Sequence, residues 1–478
     1  MMNYNDIVLT KEQQECVNYD AGDLLIRGVP GAGKSVVLLK RALKIYKKIK
    51  EENSQKKLAI FTYTNVLIRY TDEILSQKID TDKIMINTID SHCLSIFMKM
   101  GGIKRGIPKI SEKKELIKEV LQIHQISSKL KHRFYSLNVE FWNDEFKWIK
   151  ERNICTKEEY VNSDRSGRGS TIRMSVKDKE IAFGLFELYN QKMKEKNYMD
   201  FEDVICYILN NKNRMKEDMK IEYVLVDEAQ DLSFAKLSVI KLLTKESLTI
   251  AADTAQKIYD TSFTWKELGI NVVGRASKQL KHTFRSTKQI ILLASSLLEH
   301  NQLEASKEYI TPAIPEAEGP IPKVFQCANE LVKKQYFHSL IKNLIKQQPD
   351  AVIGILTRDG YKSQNTIQRW LSEIGIPVEI VAKGREWSLL SRGVKMTTLH
   401  SAKGLEFDVV IIPFLEESFI PGIALNTPNE KQEQQILEKE RSVLYVGMTR
   451  ARNELFMMYA GEKSRFIDEF KQEYFEMV

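Results

Sequence analysis

The sequence predicts an α/β chain of two domains built on parallel sheets, and three observations carry that prediction. Short apolar strands at 58–61, 222–226, 248–251, 352–356 and 408–412 alternate with helical stretches, the pattern of parallel strands covered by helices on both faces. One strand, at the start of DLLIRGVPGAGKSVVLLKRAL (23–43), runs through a glycine loop straight into a helix with one apolar face. The chain of 478 residues also exceeds what a single hydrophobic core usually holds.

The glycine loop comes first. Gly28, Gly33, Lys34 and Ser35 have the spacing Gly-xxxx-Gly-Lys-Ser, with Gly31 inside it, in a strand–loop–helix setting. Glycines let the backbone curl until its N–H groups point inward, and the helix N-terminus adds a positive field, so the loop is a phosphate cradle. Lys34 is expected to reach the terminal phosphates of a nucleoside triphosphate and Ser35 to ligate magnesium. That pattern identifies the fuel and not the work it drives.

Between Lys99 and Ser136 stand ten Lys or Arg against three Glu, nearly the whole positive excess of a chain whose net charge is +8. This run reads either as a solvated helical surface or as a contact for a polyanion. SDRSGRGSTIR (163–173) adds a basic, glycine-containing loop. Tyr135, Phe141, Trp142 and Trp148 follow at helical spacing, where aromatic residues serve as core or as base-stacking platforms.

IEYVLVDEAQD (221–231) is an apolar strand ending in Asp227 and Glu228, which sets two carboxylates at the strand's C-terminal edge beside the cradle. Asp227 is expected in the magnesium shell and Glu228 on the attacking water. Near the end, VLYVGMTRAR (443–452) is an apolar run closing on two arginines. A guanidinium fixed by such a segment is costly to leave without an anionic partner.

Composition narrows the class. No apolar stretch reaches the roughly 20 residues of a membrane helix, and residues 1–10 have no signal-peptide core, so a cytoplasmic protein with no membrane partner is expected. The five cysteines, Cys16, Cys93, Cys155, Cys206 and Cys327, include no CxxC pair, which argues against a disulfide framework and a zinc site.

With VLVDEAQD and TLHSAKGLEF (398–407) on the page, the sequence resembles the UvrD/Rep-like helicases of superfamily 1A, a resemblance that runs through the chain in the family's order. LTKEQQECV (9–17) is similar to the adenine-reading motif, with Gln13 as base contact. IFTYTN (60–65), holding Thr62, Thr64 and Asn65, and NTIDSHC (87–93) resemble the motifs on the DNA backbone. YMDFEDVI (198–205) resembles the acidic segment that precedes the Asp-Glu strand. AADTAQKIY (251–259) is similar to the Gly-Asp-x-x-Gln-x-x-Tyr signature, so Gln256 would sense the γ-phosphate and Tyr259 face bases. LKHTFRST (280–287) would stack adenine on Phe284 and place Arg285 on the γ-phosphate. Glu406 would reach the ribose, His400 would lie near the DNA strand, and Arg450 would be the arginine finger.

The resemblance implies two RecA-like P-loop NTPase domains, about 1–278 and 279–478, with a helical insertion at about 98–200 in the first. The large helical insertion of processive relatives is expected to be absent from the second, where only about forty residues separate VIGILTR from TLHSAKG. It also implies ATP and magnesium as cofactors, and 3′→5′ movement on single-stranded DNA or a tailed duplex. Two other readings stay open: a DNA-stimulated ATPase subunit working with a partner such as a nuclease, in repair or phage defence, and a nucleotide-gated interaction protein. The sequence departs from the family in DTSFTWKELG (260–269), where Trp265 is the candidate for base stacking, and in Thr283-Phe284 and Asp90.

Overall fold

The computed structural model describes residues 8–62, 84–129, 131–163, 165, 172, 174–253, 265, 267–269, 276–301, 313–358, 362–381, 391–422 and 430–478. Its strands are β1 (Leu24–Gly28), β2 (Leu58–Thr62), β3 (Ile84–Thr88), β4 (Ile221–Val226), β5 (Thr244–Ala252), β6 (Ser277–Leu280), β7 (Lys323–Cys327), β8 (Val352–Thr357), β9 (Val378–Ile380), β10 (Gly393–Thr398), β11 (Phe407–Ile412), β12 (Ala451–Ala460) and β13 (Glu476–Met477). They form two sheets, ordered β3-β2-β4-β5-β1-β6 and β13-β7-β12-β11-β8-β10-β9. Neighbouring strands run parallel in both, as the alternation of apolar strands and helices requires.

Parallel order has a functional consequence, because every strand of a sheet delivers its C-terminal end to the same edge. In the first sheet β1, β4 and β5 are adjacent, so the loops that follow Gly28, Val226 and Ala252 leave side by side. Helix Lys34–Glu51 packs Leu38, Leu39 and Ala42 against Leu58, Ile60 and Leu225, which fixes the helix N-terminus over that edge. In the second sheet β11 lies between β8 and β12, and helix Lys288–Leu298 packs Ile290, Leu293 and Leu297 into the core of Leu399, Phe407 and Tyr445.

The basic stretch folds as a helical unit. Helices Ile110–Ser128, Val139–Glu151, Lys157–Asn162 and Val176–Glu195 enclose a core of Trp142, Phe146, Tyr160, Phe183 and Tyr189. Trp142 and Trp148 are buried in that core, and Tyr135 and Phe141 pack half-buried against it, so these aromatic residues hold the unit together. Trp142→Ala is expected to lower stability by about 3–5 kcal/mol, the cost of a large cavity. A thermal melt shifted by less than a degree would show that the ring does not bear on this core.

Two of the lysines are spent inside the chain: Lys113 lies 3.7 Å from Asp200, and Lys114 2.7 Å from Glu140. A buried lysine also ties the unit to the first sheet's helices. Lys150 Nζ lies 3.0 Å from Asp200 and 2.7 Å from Asp203, whose carboxylates cap helix Phe201–Asn210. Among the described residues no helix is long and apolar enough to cross a membrane.

Candidate active site

The glycine loop closes over its own lysine. Lys34 Nζ donates to Gly28 O at 2.8 Å and Val29 O at 2.9 Å, and pairs with Asp253 at 3.0 Å just past the end of β5. Gly31 takes φ +72°, and a Cβ there would meet Thr283 Oγ1 at 2.5 Å and Arg285 Cβ at 2.7 Å. A segment from beyond β6 therefore lies directly on the loop, and Phe284 N donates to Gly31 O at 2.9 Å. Gly33, at φ +76°, leaves room for Gln13, whose Nε2 donates to Ala32 O at 3.0 Å. The Gln13 Oε1 accepts from Thr10 N in the capping box of helix Lys11–Asn18, so both ends of one amide orient that helix against the loop.

Beside the loop, Ser35 Oγ donates to Asp227 Oδ2 at 2.6 Å. A hydroxyl and a carboxylate at this separation are hard oxygen donors of the kind magnesium takes. Among the described residues no group of three His, Cys, Asp or Glu forms a protein-only metal cage. Burial first, then the adjacent Glu228 carboxylate, push the Asp227 pKa up to about 6. Burial also opposes the charge on Glu228, but Lys403, Lys34 and Arg450 overcome it and hold that pKa below the ordinary carboxylate value. Glu228 is thus the more readily ionised member of the pair. It sits at φ +53°, and Gln230 Nε2 donates to its Oε2 at 2.5 Å. The Gln230 Oε1 accepts from Asp253 N at 2.9 Å, joining the turns after β4 and β5.

The second sheet supplies cations. Arg285 and Arg452 each reach a different Glu406 oxygen at 2.7 Å. Against the penalty of partial burial, these guanidinium groups hold the Glu406 pKa down at about 2. Lys403, in the loop between β10 and β11, crosses to the first sheet and lies 2.7 Å from Asp231 and 3.7 Å from Glu228. Arg450 is only 1% exposed. Its Nε donates to Val446 O at 2.9 Å and its Nη1 to Leu405 O at 3.3 Å, while Nη2 has no partner among the described residues. Burial, then repulsion by Arg285, push its pKa down to about 9, against the pull of Glu228, Glu406 and Asp253. Arg285 Nε and Thr283 Oγ1 are likewise buried and unpartnered.

The structure thus gathers Gln13, Gly28, Gly31, Gly33, Lys34, Ser35, Asp227, Glu228, Arg285, Glu406 and Arg450 around one cleft. The Phe284 ring, 60% exposed, lies beside the loop with its centroid 6.5 Å from that of the His282 ring. Thr62 is buried at the C-terminal end of β2. His400 follows β10 half-buried, and burial with the Arg358 guanidinium pushes its pKa down to about 4, so the imidazole is neutral at physiological pH. Trp265 requires correction as a base-stacking candidate: it is 7% exposed and belongs to the core of the first sheet with Leu25, Val226 and Ala252. Thr64, Asn65, Gln256 and Tyr259 lie outside the described residues.

Sequence reasoning passed over Lys403, Asp231 and Asp253, although each lies inside a quoted motif. The available signal was a lysine and acids set in otherwise apolar, buried stretches, where an unpaired charge is costly.

The model of the UvrD/REP helicase N-terminal domain matches residues 9–265, and that of the UvrD-like helicase C-terminal domain matches residues 383–462. The chain is 26% identical over 426 residues to the "Probable DNA helicase II homolog" of Mycoplasma capricolum, covering 84% of this chain and 56% of the relative. It is 24% identical over 413 residues to the ATP-dependent DNA helicase Rep of Buchnera aphidicola, covering 80% and 58%. To the ATP-dependent DNA helicase PcrA of Staphylococcus epidermidis it is 24% identical over 363 residues, covering 71% and 46%. The chain spans about half the length of the curated relatives it matches. With one family model on the first sheet and its companion on the second, the chain belongs to the UvrD/REP helicase family.

Proposed function

We propose that the chain is an ATP-driven motor that moves 3′→5′ along single-stranded DNA, hydrolysing nucleotide in the cleft between its two sheets. One observation carries this reading: Arg450, from the second sheet, is buried with an unpartnered Nη2 while Glu228 and Asp253 of the first sheet act on its charge. A buried guanidinium so placed calls for an anion between the two halves. Relatives named as ATP-dependent DNA helicases support ATP and DNA as the substrates.

In this mechanism the backbone N–H groups of the loop and the Lys34 ammonium hold the phosphates, Lys34 exchanging Asp253 for them. Ser35 and Asp227 would hold magnesium, which when bound neutralises phosphate charge. Glu228 takes a proton from water as the water oxygen bonds to the γ-phosphorus and the bond to the β-phosphate oxygen breaks. Arg285 and Arg450 stabilise the charge that develops on the γ-phosphoryl oxygens. Because these arginines are tied to the loop before β11, Arg285 through Glu406 and Arg450 through Leu405, closure depends on the γ-phosphate, and its loss lets the cleft open. Alternating grip on the strand then gives movement.

The test is ATP turnover by the purified chain with and without oligo-dT. Stimulation severalfold is expected, and a rate indifferent to the oligonucleotide would favour a nucleotide-gated interaction protein. A second reading, a translocating subunit that separates strands only with a partner, is favoured by the short interval of about forty residues between VIGILTR and TLHSAKG. Unwinding of a tailed duplex by the chain alone would rule it out.

Lys403 gives a further prediction. Lys403→Met strands the buried Asp231 carboxylate without its cation and removes one of the three that sustain Glu228, at a cost of about 3–5 kcal/mol to the closed arrangement. The expected result is a lower melting temperature and a larger radius of gyration in X-ray scattering. Both unchanged would show that this pair does not hold the sheets together.

A further inference from the structure

Residues 98–110, at the root of the helical unit and outside the nucleotide cleft, form a strip of exposed apolar side chains and unpaired cations. Met98, Ile103, Ile107 and Ile110 are exposed, Ile103 to 74% and Ile110 to 79%. Among the described residues Lys99, Lys104 and Arg105 have no carboxylate within ion-pair distance, unlike the neighbouring Lys113 and Lys114. The backbone is fixed in the middle of the strip. Gly106 N donates to Asn197 O at 3.0 Å, and Gly106 O accepts from Met199 N at 2.9 Å. The exposed groups are therefore held in position by the fold, which lowers the entropic cost of docking something on them.

We propose that this strip docks a second protein through a segment that carries aspartate or glutamate beside aliphatic or aromatic side chains. Charge complementarity selects the acids, because three cations without partners attract an anionic surface and repel a basic one. The isoleucines select the apolar component, since a cluster of large exposed apolar side chains rimmed by charge is the usual mark of a protein interface. A nucleic-acid backbone would satisfy the cations and leave the apolar side chains in water. A second copy of the strip would oppose like charges.

The probe is a short synthetic peptide, labelled with fluorescein, with leucine along one helical face and glutamate along the other. It is titrated with the full chain by fluorescence anisotropy, beside a labelled tailed DNA duplex and phosphatidylserine vesicles. The proposal expects the peptide to bind. It also expects two double variants, Lys104→Glu with Arg105→Glu and Ile103→Ser with Ile107→Ser, each to weaken that binding by about tenfold or more. Melting temperature and ATP turnover should stay at the wild-type level in both. No binding of the peptide, or equal binding by either variant, overturns the proposal. So does a pattern in which the variants lose the duplex or the vesicles while keeping the peptide.

Discussion

Arg450→Ala is expected to lower ATP turnover in the presence of single-stranded DNA by about a thousandfold, the scale on which an arginine acting on the transferred phosphoryl group contributes. The expectation follows from where the side chain is anchored. Two of its nitrogens are held by the carbonyls of Val446 and Leu405, and the third is buried with no partner among the described residues. Charge on the γ-phosphoryl oxygens grows during the reaction, so the loss should fall on turnover and leave nucleotide affinity modestly changed. The opposing account makes Arg450 a packing residue that only braces the turn before β12. That account predicts a loss of melting temperature of the kind seen when buried hydrogen bonds are removed, with turnover falling only in proportion to unfolded protein. Arg450→Lys separates the two: a folded protein that binds nucleotide and hydrolyses it poorly supports the phosphoryl contact, and full recovery of turnover contradicts it.

Glu228→Gln is expected to slow hydrolysis by at least about a hundredfold while nucleotide binding is retained, the range for loss of a general base. Glutamine keeps the size and the hydrogen bond to Gln230 and removes only the negative charge that Lys403, Lys34 and Arg450 sustain in the buried site. Its neighbour Asp227 is pushed the other way, to about 6, by burial and by Glu228 itself. The two carboxylates therefore differ in character although they are adjacent in the chain. Equilibrium binding of a fluorescent ATP analogue, measured beside turnover, decides the matter: a parallel fall in both would make Glu228 structural.

What could be read from the sequence differed by the kind of constraint. The parallel α/β class was legible because apolar strands and amphipathic helices alternate along the chain, and both sheets follow that alternation. The glycine loop was legible because its requirement is local: left-handed backbone at Gly31 and Gly33, followed by a lysine and a serine. Asp227 and Glu228 were legible from a strand that ends in acids. Lys403 was not, since its partner Asp231 lies 172 residues away and only the packing of one sheet on the other brings them together. Trp265 shows the opposite error. An aromatic residue beside a polar stretch looks available to a base, and nothing local announces that the core of β1, β4 and β5 needs its bulk. The pairing of Lys113 and Lys114 was not legible either, because the acids that meet them come from other elements. Local backbone demands are written locally, and tertiary pairing is not.

The proposed motor activity is movement of the chain along a DNA strand in one direction, driven by nucleotide turnover in this cleft. Its most direct measurement is stopped-flow translocation on oligo-dT of increasing length carrying a fluorophore at one end. With the label at the 5′ end, the signal should rise after an ATP-dependent lag that grows in proportion to strand length. With the label at the 3′ end, it should decay without a lag. A signal independent of strand length at both ends, while ATP is still being hydrolysed, would contradict the account.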